Sequence, residues 1–290
     1  EPCAHHGKTP PCVDGLIAAG VARVFSALTD PDPRVTGRGH AMLRAAGVAV
    51  QEGLCADEAR ALNRGFLKRV SHGLPLVTLK FATSLDGRIA TSSGESRWIT
   101  GPGARRGVHA MRMAHDAVIV GSGTAVADDP DLTVRDLGAL WQPVRIVVDS
   151  ALQLGPQGRL GQTARVTPVW ILHGSGADAA RRDAWAKTGA DLIECSGKAG
   201  HLDLRAALSL LAARGLTRVF CEGGAGLAAA LIRAGLVDDL VTFSAGALIG
   251  EEGRAAVGPL GLTALGDVPR LRLVSQTAVA GDVQALWRFE

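Results

Sequence analysis

The sequence predicts an α/β protein built from two units. Three observations carry that expectation. The chain has 290 residues, about twice the length of an average domain. Apolar, strand-like runs alternate with helical patterning along most of it. The patterning is interrupted at Ser71-His72-Gly73-Leu74-Pro75, where glycine and proline end the first segment. The division is placed there, giving units 1–73 and 74–290.

In chain order, Asp14–Gly20 reads as a short helix closed by glycine, Val21–Leu28 as an apolar strand, and Asp30-Pro31-Asp32-Pro33 as a turn. Helical spacing returns at Ala41–Ala46 and at Asp57–Val70. With so few strands, the first unit is too small for a complete α/β domain. Beyond the break, strands are expected at Val77–Ala82, Ala117–Val120, Val144–Val148, Val169–Leu172, Arg218–Cys221 and Leu240–Phe243, with helical stretches between them. That alternation implies a largely parallel sheet. Leu204, Ala207, Leu208 and Leu211 keep helical spacing and Gly215 supplies a stop, which predicts a helix over Asp203–Arg214. The tail, Arg270–Ala278 and Gln284–Phe289 around Ala280-Gly281-Asp282, reads as an edge hairpin.

Composition narrows the function. Hydrophobic residues make up 47% and charged residues 20%, ordinary values for a chain with a normal core. The 31 basic and 28 acidic residues are interspersed, so no nucleic-acid surface is expected. No apolar run reaches the roughly 18 residues that span a bilayer, and Glu1-Pro2-Cys3 does not open like a signal peptide. A soluble, cytoplasmic protein is expected. Five cysteines, at 3, 12, 55, 195 and 221, do not make a disulfide framework.

The opening string EPCAHHGKTPPC holds two Pro-Cys steps and two histidines. Thiolates and imidazoles so close together suit zinc, although two buried thiols beside a surface loop fit the same spacing. The string resembles the second half of the zinc site of the riboflavin-pathway pyrimidine deaminases, a branch of the cytidine-deaminase superfamily. By that resemblance Cys3 and Cys12 are the cysteine ligands, and residues 1–73 are the C-terminal part of a cytidine-deaminase-like domain. The His-x-Glu element that supplies the remaining ligand and the acid/base carboxylate in such sites has no counterpart after Glu1. The Zn2+ site is therefore expected to be incomplete, and the chain as written is not expected to deaminate. A His-Ala-Glu stretch ahead of Glu1 would restore that activity.

Four later strings stand out: Ser84–Ala90 (SLDGRIA), Ser93–Thr100 (SGESRWIT), Gly121–Arg135 (GSGTAVADDPDLTVR) and Cys221–Leu227 (CEGGAGL). Together they resemble the reductase half of the bifunctional riboflavin-biosynthesis deaminase/reductases, a dihydrofolate-reductase-like domain covering nearly all of 74–290. The resemblance implies NADPH-dependent reduction of 5-amino-6-(5-phosphoribosylamino)uracil to its ribitylamino product. It implies substrate contacts at Ser96, Arg112, Leu132, Arg135 and Glu222. Cofactor contacts are implied at Ala82, Trp98, Thr124, Asp128 and Ser150, and along Gly224, Ala225, Gly226 and Leu227. Asp128 and Glu222 are the implied catalytic groups. It further implies association into a homo-oligomer through the reductase half.

The residue types suit that chemistry. A planar guanidinium binds phosphate bidentately, although an arginine chosen at random is more often a surface ion-pair partner. Glu222-Gly223-Gly224-Ala225-Gly226-Leu227 ends a strand and opens a helix expected over Leu227–Ala234. Bare backbone N–H groups at such a point bind a pyrophosphate, and glycines let it come close. A tight turn without a ligand has the same signature. The glycines lie too late in the chain for a Rossmann fingerprint. Trp98 would wall a nicotinamide pocket or simply fill a core, and Asp128 would touch the cofactor or cap a turn. Two other functions fit the same residues: a dihydrofolate-type reductase of another pyrimidine, or a zinc-binding interaction module with an inert reductase half.

Overall fold

The structure is a computed structural model that describes residues 1–290, and its internal contacts separate at Leu74/Pro75 into two units. In the first, α1 (Cys12–Ala18), β1 (Arg23–Ser26), α2 (Arg38–Ala45), β2 (Ala49–Glu52), α3 (Ala56–Leu62) and α4 (Arg64–His72) follow one another. β1 and β2 pair in parallel, Arg23 opposite Ala49. Val13, Leu43 and Val48 form the small core beneath them. Two expectations change here. The helix expected over Asp57–Val70 is interrupted at Asn63 (φ −98°, ψ 11°), whose side-chain amide donates to the Ala59 carbonyl at 2.9 Å and competes with the helical ladder. β2 was not expected, because Ala-Val-Gln-Glu is too short and polar to carry a period of its own.

The second unit is built on one nine-stranded sheet. Its elements are β3 (Leu76–Thr83), β4 (Arg88–Ala90), α5 (Pro102–Met113), β5 (Ala117–Gly121), α6 (Ser122–Asp128), β6 (Val144–Val148), α7 (Arg159–Gln162), β7 (Val169–Gly174), α8 (Ala179–Ala186) and β8 (Asp191–Cys195). The short β9 (Gly197–Lys198) and β10 (His201–Leu202) precede α9 (Leu204–Ala213), β11 (Arg218–Cys221), α10 (Ala225–Arg233) and β12 (Asp239–Ala245). β13 (Arg254–Ala255), β14 (Leu271–Val279) and β15 (Asp282–Phe289) complete the unit.

The sheet order is β14-β15-β12-β3-β11-β5-β6-β7-β8. From β12 to β8 every neighbour is parallel. β15 and β14 then run antiparallel at one edge. This is the largely parallel α/β sheet with a C-terminal hairpin that the sequence predicts. Central strands are covered on both faces, so they carry continuous apolar runs; Ala117, Val118, Ile119 and Val120 are all buried. The hairpin turns at Ala280 (φ 47°) and Gly281 (φ 96°), the paired positive φ of a tight two-residue turn. Helix α9 starts where the Asp203 side chain accepts from the Ala206 N–H at 3.0 Å.

Under the sheet, His115 is 7% exposed. Its Nδ1 lies 2.7 Å from the Met111 carbonyl and its Nε2 3.0 Å from Thr78 Oγ1, with the ring tilted against Phe220 at 5.1 Å. Burial holds its pKa below the ordinary value. The folded protein therefore binds fewer protons here than the unfolded chain. The stability it contributes is complete above about pH 6.5 and declines as pH falls below that value. Urea unfolding at pH 7.5 and 5.5 should show a smaller loss on acidification for His115→Gln than for the wild type; equal losses would show that His115 is not the group responsible.

Candidate active site

The carboxyl ends of β3, β11 and β5 lie side by side at the middle of the sheet, the place where open α/β sheets bind ligands. A cavity of about 440 Å³ opens there, within the range of small-molecule sites. β3 contributes Lys80 and Ala82, β11 leads directly into Glu222, and the last turns of α5 supply His109 and Arg112.

Glu222 is the centre of the arrangement. Arg112 Nε donates to its Oε1 at 2.5 Å and Arg112 Nη2 to its Oε2 at 3.0 Å. Lys80 Nζ stands 4.0 Å from Oε2. The three side chains are only 10% to 14% exposed. Burial alone would raise the Glu222 pKa, but the Arg112 charge and hydrogen bonds, with Lys80 behind them, outweigh it and hold the carboxyl below its usual range. Burial pushes the Lys80 ammonium the other way, toward easier loss of its proton. His109 is lowered as well, by burial first and then by Arg112 and Arg135.

Arg112 Nη1 also donates to the Thr133 carbonyl at 2.7 Å. Three of the five donors on this guanidinium are thus committed. The edge formed by Nε and Nη2 faces Glu222, so a substrate contact at Arg112 would use its two remaining donors. Arg135 is half exposed and its Nη1 donates to Asp131 Oδ2 at 3.0 Å. Leu132 lies between them, 2% exposed with φ 54°. A left-handed leucine is a strained backbone of the kind that collects at binding sites.

The glycine turn, which continues directly from Glu222, also lines the cavity. Gly223 has φ 98°, and a Cβ on Gly224 would stand 2.9 Å from Thr124 Oγ1. Helix α10 begins at Ala225 without a side-chain cap, so its first N–H groups remain available to an anion. These features fit a dinucleotide phosphate.

Ser96, Trp98 and Asp128 also line the cavity. Trp98 is 67% exposed, with the Arg105 guanidinium 4.6 Å over its ring. Arg97 Nη2 donates to the Asp128 carbonyl at 2.9 Å. Three expected cofactor residues are not on the cavity wall. Ser150 lies past the end of β6, its carbonyl accepting from the Gly174 N–H at 2.9 Å. Gly226 and Leu227 sit within α10, which starts two residues earlier than expected, and the Leu227 Cβ packs toward Gly121. Lys80, His109, Asp131 and Arg159 line the cavity without lying in a position the motifs assign. For Lys80 a signal exists, a lone charge inside an apolar strand.

Residues 75–285 match the RibD C-terminal domain. The chain is 42% identical to the riboflavin biosynthesis protein RibD of Escherichia coli across 98% of its own length and 78% of the relative's. The chain belongs to the RibD family. The solved RibD of Acinetobacter baumannii, form 1, aligns at a TM-score of 0.89 and 35% identity, over 100% of this chain and 79% of that one. A RibD-type deaminase/reductase from Thermotoga maritima aligns at 0.84 with 28% identity, over 100% and 78%.

In the first unit the Cys12 N–H donates to Cys3 Sγ at 3.3 Å, which draws the Cys3 thiol below its ordinary pKa, while contact with Cys3 pushes the Cys12 thiol up. No group of three His, Cys, Asp or Glu side chains able to hold a metal is assembled. The residues present therefore do not fit four-coordinate zinc.

If the Arg112–Glu222 pair sets the geometry of the cavity, replacing either residue by leucine should cost about 3–5 kcal/mol, because the other is left buried and unpaired. The double variant should recover part of that loss, with a coupling of about 1–3 kcal/mol in urea unfolding. Additive losses would show that the two do not act as a pair.

Proposed function

We propose that residues 75–290 reduce 5-amino-6-(5-phosphoribosylamino)uracil at its ribose, with NADPH as the reductant. The observation that supports this most directly is that one cavity is lined both by Gly223, Gly224 and Ala225, at the uncapped start of α10, and by the side chains of Arg112 and Arg135. The RibD relatives supply the substrate class.

Gly223, Gly224 and Ala225 would hold the cofactor's pyrophosphate through their N–H groups, and the Trp98 ring would cover its nicotinamide. When bound, the cofactor supplies a hydride, which the open-chain imine form of the substrate accepts at the sugar C1. The two uncommitted donors of Arg112 and the Arg135 guanidinium would hold the 5′-phosphate. Leu132 and Phe81 exclude water from the cavity floor.

Adding hydride to an imine carbon leaves a nitrogen that needs a proton. The buried Lys80–Glu222 pair provides it: Lys80 is a stronger acid here than in water, and the Glu222 carboxylate keeps the ammonium facing the cavity. Asp128 stands at the rim, a cofactor contact rather than a proton source in this reading. Deamination is not proposed for residues 1–74.

NADPH consumption should follow addition of the phosphorylated pyrimidine, with the ribitylamino compound as product; no turnover would contradict the reading. Glu222→Gln should lower kcat by about 10²- to 10⁴-fold and change the KM for NADPH little. Removing the 5′-phosphate should raise the substrate KM steeply, whereas a reductase of some other pyrimidine would be indifferent to it.

A further inference from the structure

We propose that Arg159 is a further phosphate-binding residue of the cavity, acting with Arg135 on a rim that Asp131 holds in place. The inference rests on the reductase reading above and extends it to a residue that none of the expected motifs contains.

Six cationic side chains line the cavity, Lys80, Arg97, Arg105, Arg112, Arg135 and Arg159, against four carboxylates, Asp128, Asp129, Asp131 and Glu222. The excess is two positive charges, so the cavity as a whole attracts phosphate groups. Most of the cations are already committed. Lys80 serves Glu222, Arg112 spends three of its five donors on Glu222 and Thr133, Arg97 binds the Asp128 carbonyl, and Arg105 covers Trp98 and donates to the Thr100 carbonyl at 3.0 Å. Arg135 and Arg159 remain, both half exposed.

Their geometry is built for the purpose. Arg159 Nη1 and Arg135 Nη1 each donate to the same atom, Asp131 Oδ2, at 3.0 Å. One carboxylate oxygen thus brings two guanidinium groups together and leaves most of their N–H donors unspent. Asp129 contributes a weaker contact, its Oδ2 3.8 Å from Arg159 Nε, while its Oδ1 accepts the Arg159 backbone N–H at 2.8 Å. Gly158 permits this approach, because a Cβ there would meet Asp129 Oδ1 at 2.5 Å. Behind them Arg145, 1% exposed, donates to the Asp131 carbonyl at 3.3 Å and to Thr163 Oγ1 at 2.7 Å. It therefore ties the Asp131 backbone to the end of α7, so the rim is braced from inside the protein.

A phosphate reaching this rim would come from the substrate's sugar or from the cofactor. In the reading above the glycine turn holds the cofactor's pyrophosphate, which leaves its 2′-phosphate and the substrate's phosphate; Arg135 beside Arg159 is an expected substrate contact, so the substrate is the expected source. Steady-state kinetics of the full chain carrying Arg159→Gln test this. The KM for the phosphorylated pyrimidine should rise about 10- to 100-fold, the loss of one charge-assisted hydrogen bond or pair. Both kcat and the KM for NADPH should stay within about twofold, and Arg159→Lys should recover part of the loss. Against a substrate lacking the phosphate, Arg159→Gln and wild type should have the same KM. An unchanged KM for the phosphorylated substrate, a rise in the KM for NADPH instead, or an equal penalty on the phosphate-free substrate would each overturn the assignment. Calorimetric titration with ribose 5-phosphate decides the grip without turnover. Weaker binding to Arg159→Gln supports it even if the reductase reading fails, and equal binding overturns it even if that reading holds.

Discussion

Arg112 and Glu222 are 110 residues apart in the chain and 2.5 Å apart in the structure. One ends helix α5, and the other leaves the central strand β11. Moving two opposite charges and a nearby lysine out of water costs several kcal/mol per ion, which good geometry and full hydrogen bonding must repay. The fork of Arg112 meets that demand by binding both Glu222 oxygens and the Thr133 carbonyl. This contact ties the end of α5 to the start of the glycine turn and, through Thr133, to the 129–135 loop. The cavity is the space they leave.

The rest of the site follows from the sheet. Parallel strands covered on both faces deliver all their carboxyl ends to one edge of the layer. Side chains from β3, β5 and β11 therefore converge without any special loop to carry them. The glycine turn and the 129–135 loop enter left-handed backbone, at Gly223 and at Asp129 and Leu132, and the irregular 96–100 segment lines the cavity beside them. The glycine turn lets main-chain N–H groups reach an anion; the 129–135 loop brings Thr133 to Arg112 and Asp131 to Arg135 and Arg159. Regular structure supplies Lys80 and Arg112, and the irregular segments supply the backbone donors and the Asp131 rim.

How much of this the sequence reveals depends on how local each feature is. The CEGGAGL turn is legible because strand end, glycines and helix start are consecutive. The Ala280-Gly281 hairpin is legible for the same reason, as are the apolar runs of β5, β6 and β11. The split at Asn63 is not, since a side-chain hydrogen bond to Ala59 decides it. Arg112 can be picked out by its motif, but its partner cannot, because no spacing rule links residues so far apart. Lys80 carries a visible signal, a charge in a buried strand, and the motifs do not mark it. Arg159 carries none at all, as its role exists only once α7 folds against Asp131. Ser150, Gly226 and Leu227 lie off the wall of the cavity, because the β6 end and the body of α10 carry them away from it.

The central claim is that one cavity brings a dinucleotide and a phosphorylated sugar into reacting distance. A crystal structure of the protein with NADP+ and the ribitylamino product tests it most directly. The account predicts the nicotinamide C4 about 3–3.5 Å from the sugar C1, with the pyrophosphate on Gly223–Ala225 and the sugar's phosphate at the arginine rim. Ligands seated in separate cavities, or a phosphate bound away from those arginines, would contradict it.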